Sequence, residues 1–168
     1  MVLQAVQMRD EDLTYPSNLP LETTGEFVTR DNERYYAIRN VDKMPRFFIS
    51  VVSNSDHWLF VSSNGGLTAG RVSPDTALFP YGPVDQIEDS APHTGPKTLL
   101  RVQKQGSPVN WEPFNEEQTD NYDLTRNLYK NTLGNKLCFE EINHDLELAF
   151  RYTWMTSDEF GFVRHCEL

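Results

Sequence analysis

At 168 residues and a formal net charge of −10, the chain is long enough to bury a core of its own and too acidic to favour a phosphate backbone, since affinity for nucleic acid rests on Lys and Arg neutralising phosphates. Hydrophobic residues at 38% and aromatics at 12% exclude a disordered polypeptide. No stretch approaches the roughly 18 apolar residues of a membrane-spanning helix and no basic run marks an anionic surface, so neither nucleic acid nor membrane is an expected partner.

The first ten residues, Met1 to Asp10, lack the basic start and unbroken apolar core of a signal peptide. A soluble, cytoplasmic protein is the expectation. Cys138 and Cys166 are too few for a disulfide framework. A bridge between them stays geometrically open, although two reduced, buried thiols are the simpler state inside a cell.

In chain order, residues 1–25 read as an extended arm, broken by Tyr15-Pro16-Ser17-Asn18-Leu19-Pro20. A β-sandwich domain then occupies 26–168. Glu26–Thr29 and Tyr35–Arg39 are short β-favouring runs around the turn Arg30-Asp31-Asn32-Glu33. Arg46–Val52 and His57–Ser62 form a hairpin across Ser53-Asn54-Ser55-Asp56, and Ser63-Asn64-Gly65-Gly66 has the chemistry of a tight turn.

From Leu67 to Gly106, prolines and glycines interrupt the pattern and leave one strand, Lys97–Val102, with a helical turn or two near Pro74–Leu78. Residues 115–120 read as an exposed polar loop. The C-terminal third is the most regular. Lys136–Ile142 is a strand and Asn143-His144-Asp145 a turn. Leu146, Leu148, Phe150, Tyr152 and Trp154 then alternate with smaller or more polar residues, and this period of two places the large side chains on one face. Phe160–Leu168 completes a three-stranded meander. The expected class is all-β: an antiparallel sandwich with long Pro/Gly-rich loops. Because the chain stops inside a strand, at Arg164-His165-Cys166-Glu167-Leu168, a piece of a larger domain is expected.

No motif supplies chemistry directly. His57, His93, His144 and His165 show no metal-ligand spacing. No nucleophile elbow, dinucleotide fingerprint or phosphate loop is present, so no cofactor is expected. Glu140-Glu141, Glu116-Glu117 and Asp75 offer carboxylates for a glycosidase. Adjacent strand residues point to opposite faces, however, so Glu140 and Glu141 cannot form a catalytic pair.

Two segments carry a family likeness. One is Trp58-Leu59-Phe60-Val61-Ser62-Ser63-Asn64-Gly65-Gly66-Leu67-Thr68-Ala69-Gly70-Arg71, continuing to Ala77-Leu78-Phe79-Pro80-Tyr81. The other is Leu146 to Trp154, ending in Phe160-Gly161-Phe162-Val163-Arg164. Over Tyr35–Leu168 the chain resembles the N-terminal region of cellobiose-phosphorylase-type proteins and related glycoside phosphorylases. The resemblance implies a supersandwich like that of galactose mutarotases, preceding a helical barrel that carries the catalytic acid. The chain is shorter than that supersandwich and lacks the barrel.

The resemblance directs attention to saccharide contact. Trp58, Trp111, Trp154, Tyr81 and Phe79 are candidates to stack on sugar rings, with Arg71 and Asp75 to bond hydroxyls. Trp154 and Trp58 are competing core residues, Arg71 with Asp75 a competing loop ion pair, and Trp111, flanked by Asn110, Glu112 and Pro113, is the aromatic expected to be exposed. The expected function is a non-catalytic accessory domain of a carbohydrate-active protein, touching a saccharide or a catalytic helical-barrel domain. The alternatives are an aldose-epimerase-like or glycoside-processing enzyme using loop carboxylates and a histidine, His93 or His144, and an assembly module pairing its last strand with a second copy.

Overall fold

The computed structural model describes residues 22–168 apart from Pro80 and Gln105. Residues 1–21 of the expected arm lie outside that span, and Thr24 and Gly25 belong to the first strand instead. Strands β1 (Thr24–Arg30) and β2 (Glu33–Arg39) close over Asp31 and Asn32, both at positive φ, 48° and 63°. A two-residue turn in that conformation matches the natural twist of a hairpin, and Asp and Asn accept it readily.

The chain then leaves this sheet and builds a second one. Strands β3 (Phe48–Val51), β4 (His57–Ser62), β5 (Leu67–Arg71) and β6 (Ala77–Phe79) form a four-stranded antiparallel meander in sequence order. A two-stranded ribbon follows, β7 (Leu100–Gln103) with β8 (Pro108–Trp111). Strands β9 (Leu124–Asn131), β10 (Leu137–Asn143), β11 (Leu148–Ser157) and β12 (Gly161–Glu167) then return to complete a six-stranded sheet of order β1-β2-β9-β10-β11-β12. The architecture is all-β, antiparallel and sandwich-like, as expected. The C-terminal meander is present, and β9 sits between it and β2.

The inner faces of the two larger sheets make the main core. Ile49, Val51, Leu59, Val61, Leu67 and Ala69 of the small sheet meet Leu128, Leu137, Phe139, Phe150, Tyr152 and Trp154 of the large one. Trp154 is thus a core residue, and the alternation of large side chains along β11 is its inward face. Among the described residues no helix is long and apolar enough to cross a membrane.

Helical structure differs from expectation. Pro74–Thr76 is a single 3-10 turn closed by a Ser73/Thr76 capping box, after which β6 is extended. The one α-helix among the described residues, α1 (Val84–Asp89), starts behind Pro83 and buries only Ile87. Residues 116–121 form an exposed 3-10 helix, where a loop was expected. The Asn115 side chain accepts a hydrogen bond from the Glu117 amide at its start.

The cysteines do not pair. Cys138 lies opposite Thr153, and Cys166 lies opposite Tyr152. Their side chains therefore point to opposite faces of the sheet, from strands separated by β11. Two strand spacings of about 4.8 Å each already exceed the reach of about 7 Å that a disulfide allows between α-carbons. Burial pushes both thiols up from their ordinary pKa, which keeps them protonated and unreactive.

Candidate functional site: a polar cleft and an exposed aromatic row

Central strand β10 carries two consecutive buried carboxylates, and the antiparallel register decides what each one meets. Glu140 lies opposite Asn127 and Arg151, whereas Glu141 lies opposite Arg126 and Phe150. On the outer face, Glu140 Oε1 accepts from Arg151 Nε at 2.6 Å. Its Oε2 accepts from Asn127 Nδ2 at 2.7 Å and from the Tyr129 hydroxyl at 2.6 Å. Arg39 donates to the same hydroxyl and pairs with Glu26, and Arg30 lies 4.4 Å over the Tyr129 ring. Burial opposes ionisation of Glu140, but the Arg151 charge and these hydrogen bonds outweigh it and hold the carboxyl below its ordinary value.

On the inner face, Glu141 organises a loop. Its Oε1 accepts from Trp111 Nε1 at 3.0 Å. Its Oε2 accepts from the Phe114 amide at 2.9 Å and from Arg126 Nε at 2.7 Å. Arg126 also donates to the Asn115 carbonyl at 3.2 Å. Trp111, expected to be exposed, is 0% accessible and ends strand β8. The flanking polar residues are genuine, but the indole turns inward because a carboxylate 30 positions along the chain accepts its N–H. The same anchoring holds Phe114 at φ +66°, a left-handed conformation that costs a non-glycine residue about 1–2 kcal/mol.

Residues 112–117, fixed in this way, form one wall of a cleft of about 630 Å³. Segment 88–98 forms the other wall. It is tied down by Asn64 Nδ2 donating to the Glu88 carbonyl at 2.9 Å, by the Leu67 amide donating to Thr94 Oγ1 at 3.1 Å, and by Arg164 Nη1 donating to Thr98 Oγ1 at 3.1 Å. Gly65, Leu67, Tyr152 and Trp154 line the floor. A second hollow of about 420 Å³ adjoins it and shares Arg46, Asn64, Phe114 and Glu116. The Arg46–Glu116 ion pair, at 2.8 Å, stands where the two meet.

Of the residues expected to contact saccharide, only Trp58 and Tyr81 come together. They meet edge to face at 5.7 Å on the outer surface of the small sheet. Trp58 stacks at 5.9 Å on Phe60, which stacks at 5.4 Å on Phe48. The row reaches solvent through Tyr81, 59% exposed, and Phe48, 38% exposed. Phe79 lies elsewhere, packed against the core.

Arg71 and Asp75 are exposed and do not pair. The loop between them is held by Thr76 Oγ1 donating to the Arg71 and Ser73 carbonyls. His93 is exposed, and the ring of His144, at a turn, shares a hydrogen bond with Thr125 Oγ1 at 2.9 Å. No group of three or more His, Cys, Asp or Glu among the described residues is placed to hold a metal.

Gly70 lies beneath Trp58. A β-carbon there would stand 2.2 Å from Cζ2 of the indole and 2.9 Å from the Ala77 α-carbon. Gly70→Ala is expected to destabilise the fold by about 1–3 kcal/mol through overpacking and to shift tryptophan emission. Unchanged emission and an unchanged denaturation midpoint would contradict this packing.

No protein-family model matches this chain, and no match is found among curated proteins. Fold and site together define an antiparallel β-sandwich with a polar cleft floored by aromatic side chains and a separate aromatic row on its outer surface.

Proposed function

We propose that this chain is a non-catalytic accessory domain that contacts carbohydrate. The observation that carries the reading is the row Phe48–Phe60–Trp58–Tyr81, aromatic surface open to solvent on the outer face of β3 and β4 and completed by Tyr81 beyond β6. The apolar C–H faces of sugar rings suit such aromatic surface, and Tyr and Trp add a polar handle. The carbohydrate class itself comes from the resemblance of the 58–81 and 146–164 segments to the N-terminal region of glycoside phosphorylases. An accessory role fits the carboxylates: Glu140 and Glu141 occupy opposite faces, each held by an arginine. Glu140, whose carboxyl is held below its ordinary value, is poorly suited to act as a general acid.

The test is a titration of tryptophan fluorescence with mono- and disaccharides. Trp111 is sealed in the core, so a response reports Trp58 or Trp154. A saturable change is expected, and Trp58→Ala tells a response of the outer row, which it abolishes, from one of Trp154 in the cleft floor, which it leaves. A flat response across the panel, with no heat in calorimetry, defeats the reading.

A further inference from the structure

The Tyr152 hydroxyl is a polar group on the cleft floor that the fold leaves unused. Tyr152 is 7% exposed and lines the cleft floor. Its ring is fixed by Phe139, stacked at 4.9 Å, by Phe114, edge-on at 5.1 Å, and by the Arg164 guanidinium, 4.4 Å from the ring centre. Its hydroxyl faces Gly65, where an added β-carbon would lie 3.3 Å from the oxygen. Yet it makes no hydrogen bond to any described residue, and it is not among the sealed-off polar atoms. Open to the cleft and bonded by no described residue, it is left to water or to a ligand that enters there.

We propose that the cleft is a binding site for a neutral, polyhydroxylated ligand, a saccharide, with the Tyr152 hydroxyl as its innermost hydrogen-bonding contact. This rests on the carbohydrate reading above but places a contact where neither the resemblance nor the aromatic row does. A phenol both donates and accepts, as a sugar hydroxyl does. Trp154 beside it offers aromatic surface, and the volume suits a small-molecule site.

Charge narrows the class. Glu88, Asp89, Glu112, Glu116 and Glu117 line the cleft against Arg46, Lys97 and Arg164. Arg46 is paired with Glu116, while Arg164, donating to Thr98 and lying over the Tyr152 ring, and Lys97 keep their charge, so that the lining is net acidic. Carboxylates accept hydrogen bonds from sugar hydroxyls and repel anions, so uronates and sugar phosphates are disfavoured.

The full chain, Tyr152→Phe and Trp58→Ala are to be titrated by calorimetry with glucose, maltose, cellobiose and galacturonate. At least one neutral sugar is expected to bind, with galacturonate weaker. Tyr152→Phe should weaken that binding about three- to tenfold, the loss of one neutral hydrogen bond, while leaving the melting temperature unchanged because no protein partner is lost. Amide NMR shifts should gather at Gly65, Thr94 and Glu117.

Equal affinity in Tyr152→Phe overturns the site, as does a large fall in its melting temperature, which would make the hydroxyl structural. Binding lost in Trp58→Ala but kept in Tyr152→Phe would seat the sugar on the aromatic row, defeating this site and sparing the carbohydrate reading. No binding of any neutral sugar defeats both.

Discussion

Glu140→Ala is expected to lower stability by about 3–5 kcal/mol, the cost of leaving a buried charge without its partner. Arg151, 10% exposed at its side chain, would lose its carboxylate, and Asn127 and Tyr129 would each lose an acceptor. Glu140→Gln should be milder but still destabilising, because an amide provides one acceptor where the carboxylate provides two. A denaturant midpoint that falls with an unchanged slope would place the loss in the native state. A double-mutant cycle of Glu140→Gln with Arg151→Met should give a coupling of more than about 1 kcal/mol. A cycle that closes additively would mean that this network carries no mutual stabilisation.

The same carboxylate should make stability depend on acid. Its folded pKa is depressed below the ordinary 4.5, so the unfolded chain takes up the proton first. The contribution is complete above that ordinary value and is lost as pH falls through the lower folded value. Glu140→Gln should therefore flatten the acid limb of the stability profile, below about pH 5. An acid limb of the same steepness in both proteins would assign the dependence to other carboxylates.

What the sequence disclosed, and what it concealed, follows from where side-chain partners come from. Local signals worked where turn chemistry and alternation agree: Asp31-Asn32 at a hairpin, Ser63 to Gly66 at a turn, and the run from Leu148 to Trp154 with one apolar face. Strand β9, Leu-Thr-Arg-Asn-Leu-Tyr-Lys-Asn, was illegible because Arg126 serves Glu141 on one face while Asn127 and Tyr129 serve Glu140 on the other. Buried polar partners on both faces erase the alternation that identifies a strand. Strand β5, Leu-Thr-Ala-Gly-Arg, is short, and its Gly70 leaves the room that the neighbouring Trp58 requires.

The candidate site was legible in part. Trp58 and Tyr81 do share a surface. The cleft draws on β11, β12, the β4–β5 turn and two loops, a combination no spacing in the sequence reports. One clue to its floor was available: Tyr152 sits on the inward face of an apolar strand while carrying a hydroxyl.

Trp111 tests how the cleft wall is held. Trp111→Ala is expected to cost about 3–5 kcal/mol, since a fully buried aromatic leaves a cavity, and it also deprives Glu141 Oε1 of its donor. Trp111→Phe separates the two contributions. It keeps most of the volume and removes only the N–H, for an expected loss of about 1–3 kcal/mol from an unsatisfied buried acceptor. Because Glu141 also holds the Phe114 amide and, through Arg126, the Asn115 carbonyl, Trp111→Phe should loosen residues 112–117 beyond its effect on global stability. Hydrogen exchange at the Phe114 and Asn115 amides reads that directly. Faster exchange there than in β11, at a denaturant midpoint only modestly lowered, is the expected pattern. Uniform acceleration through the sheet would mean that the indole serves the core alone, leaving the wall to hold itself.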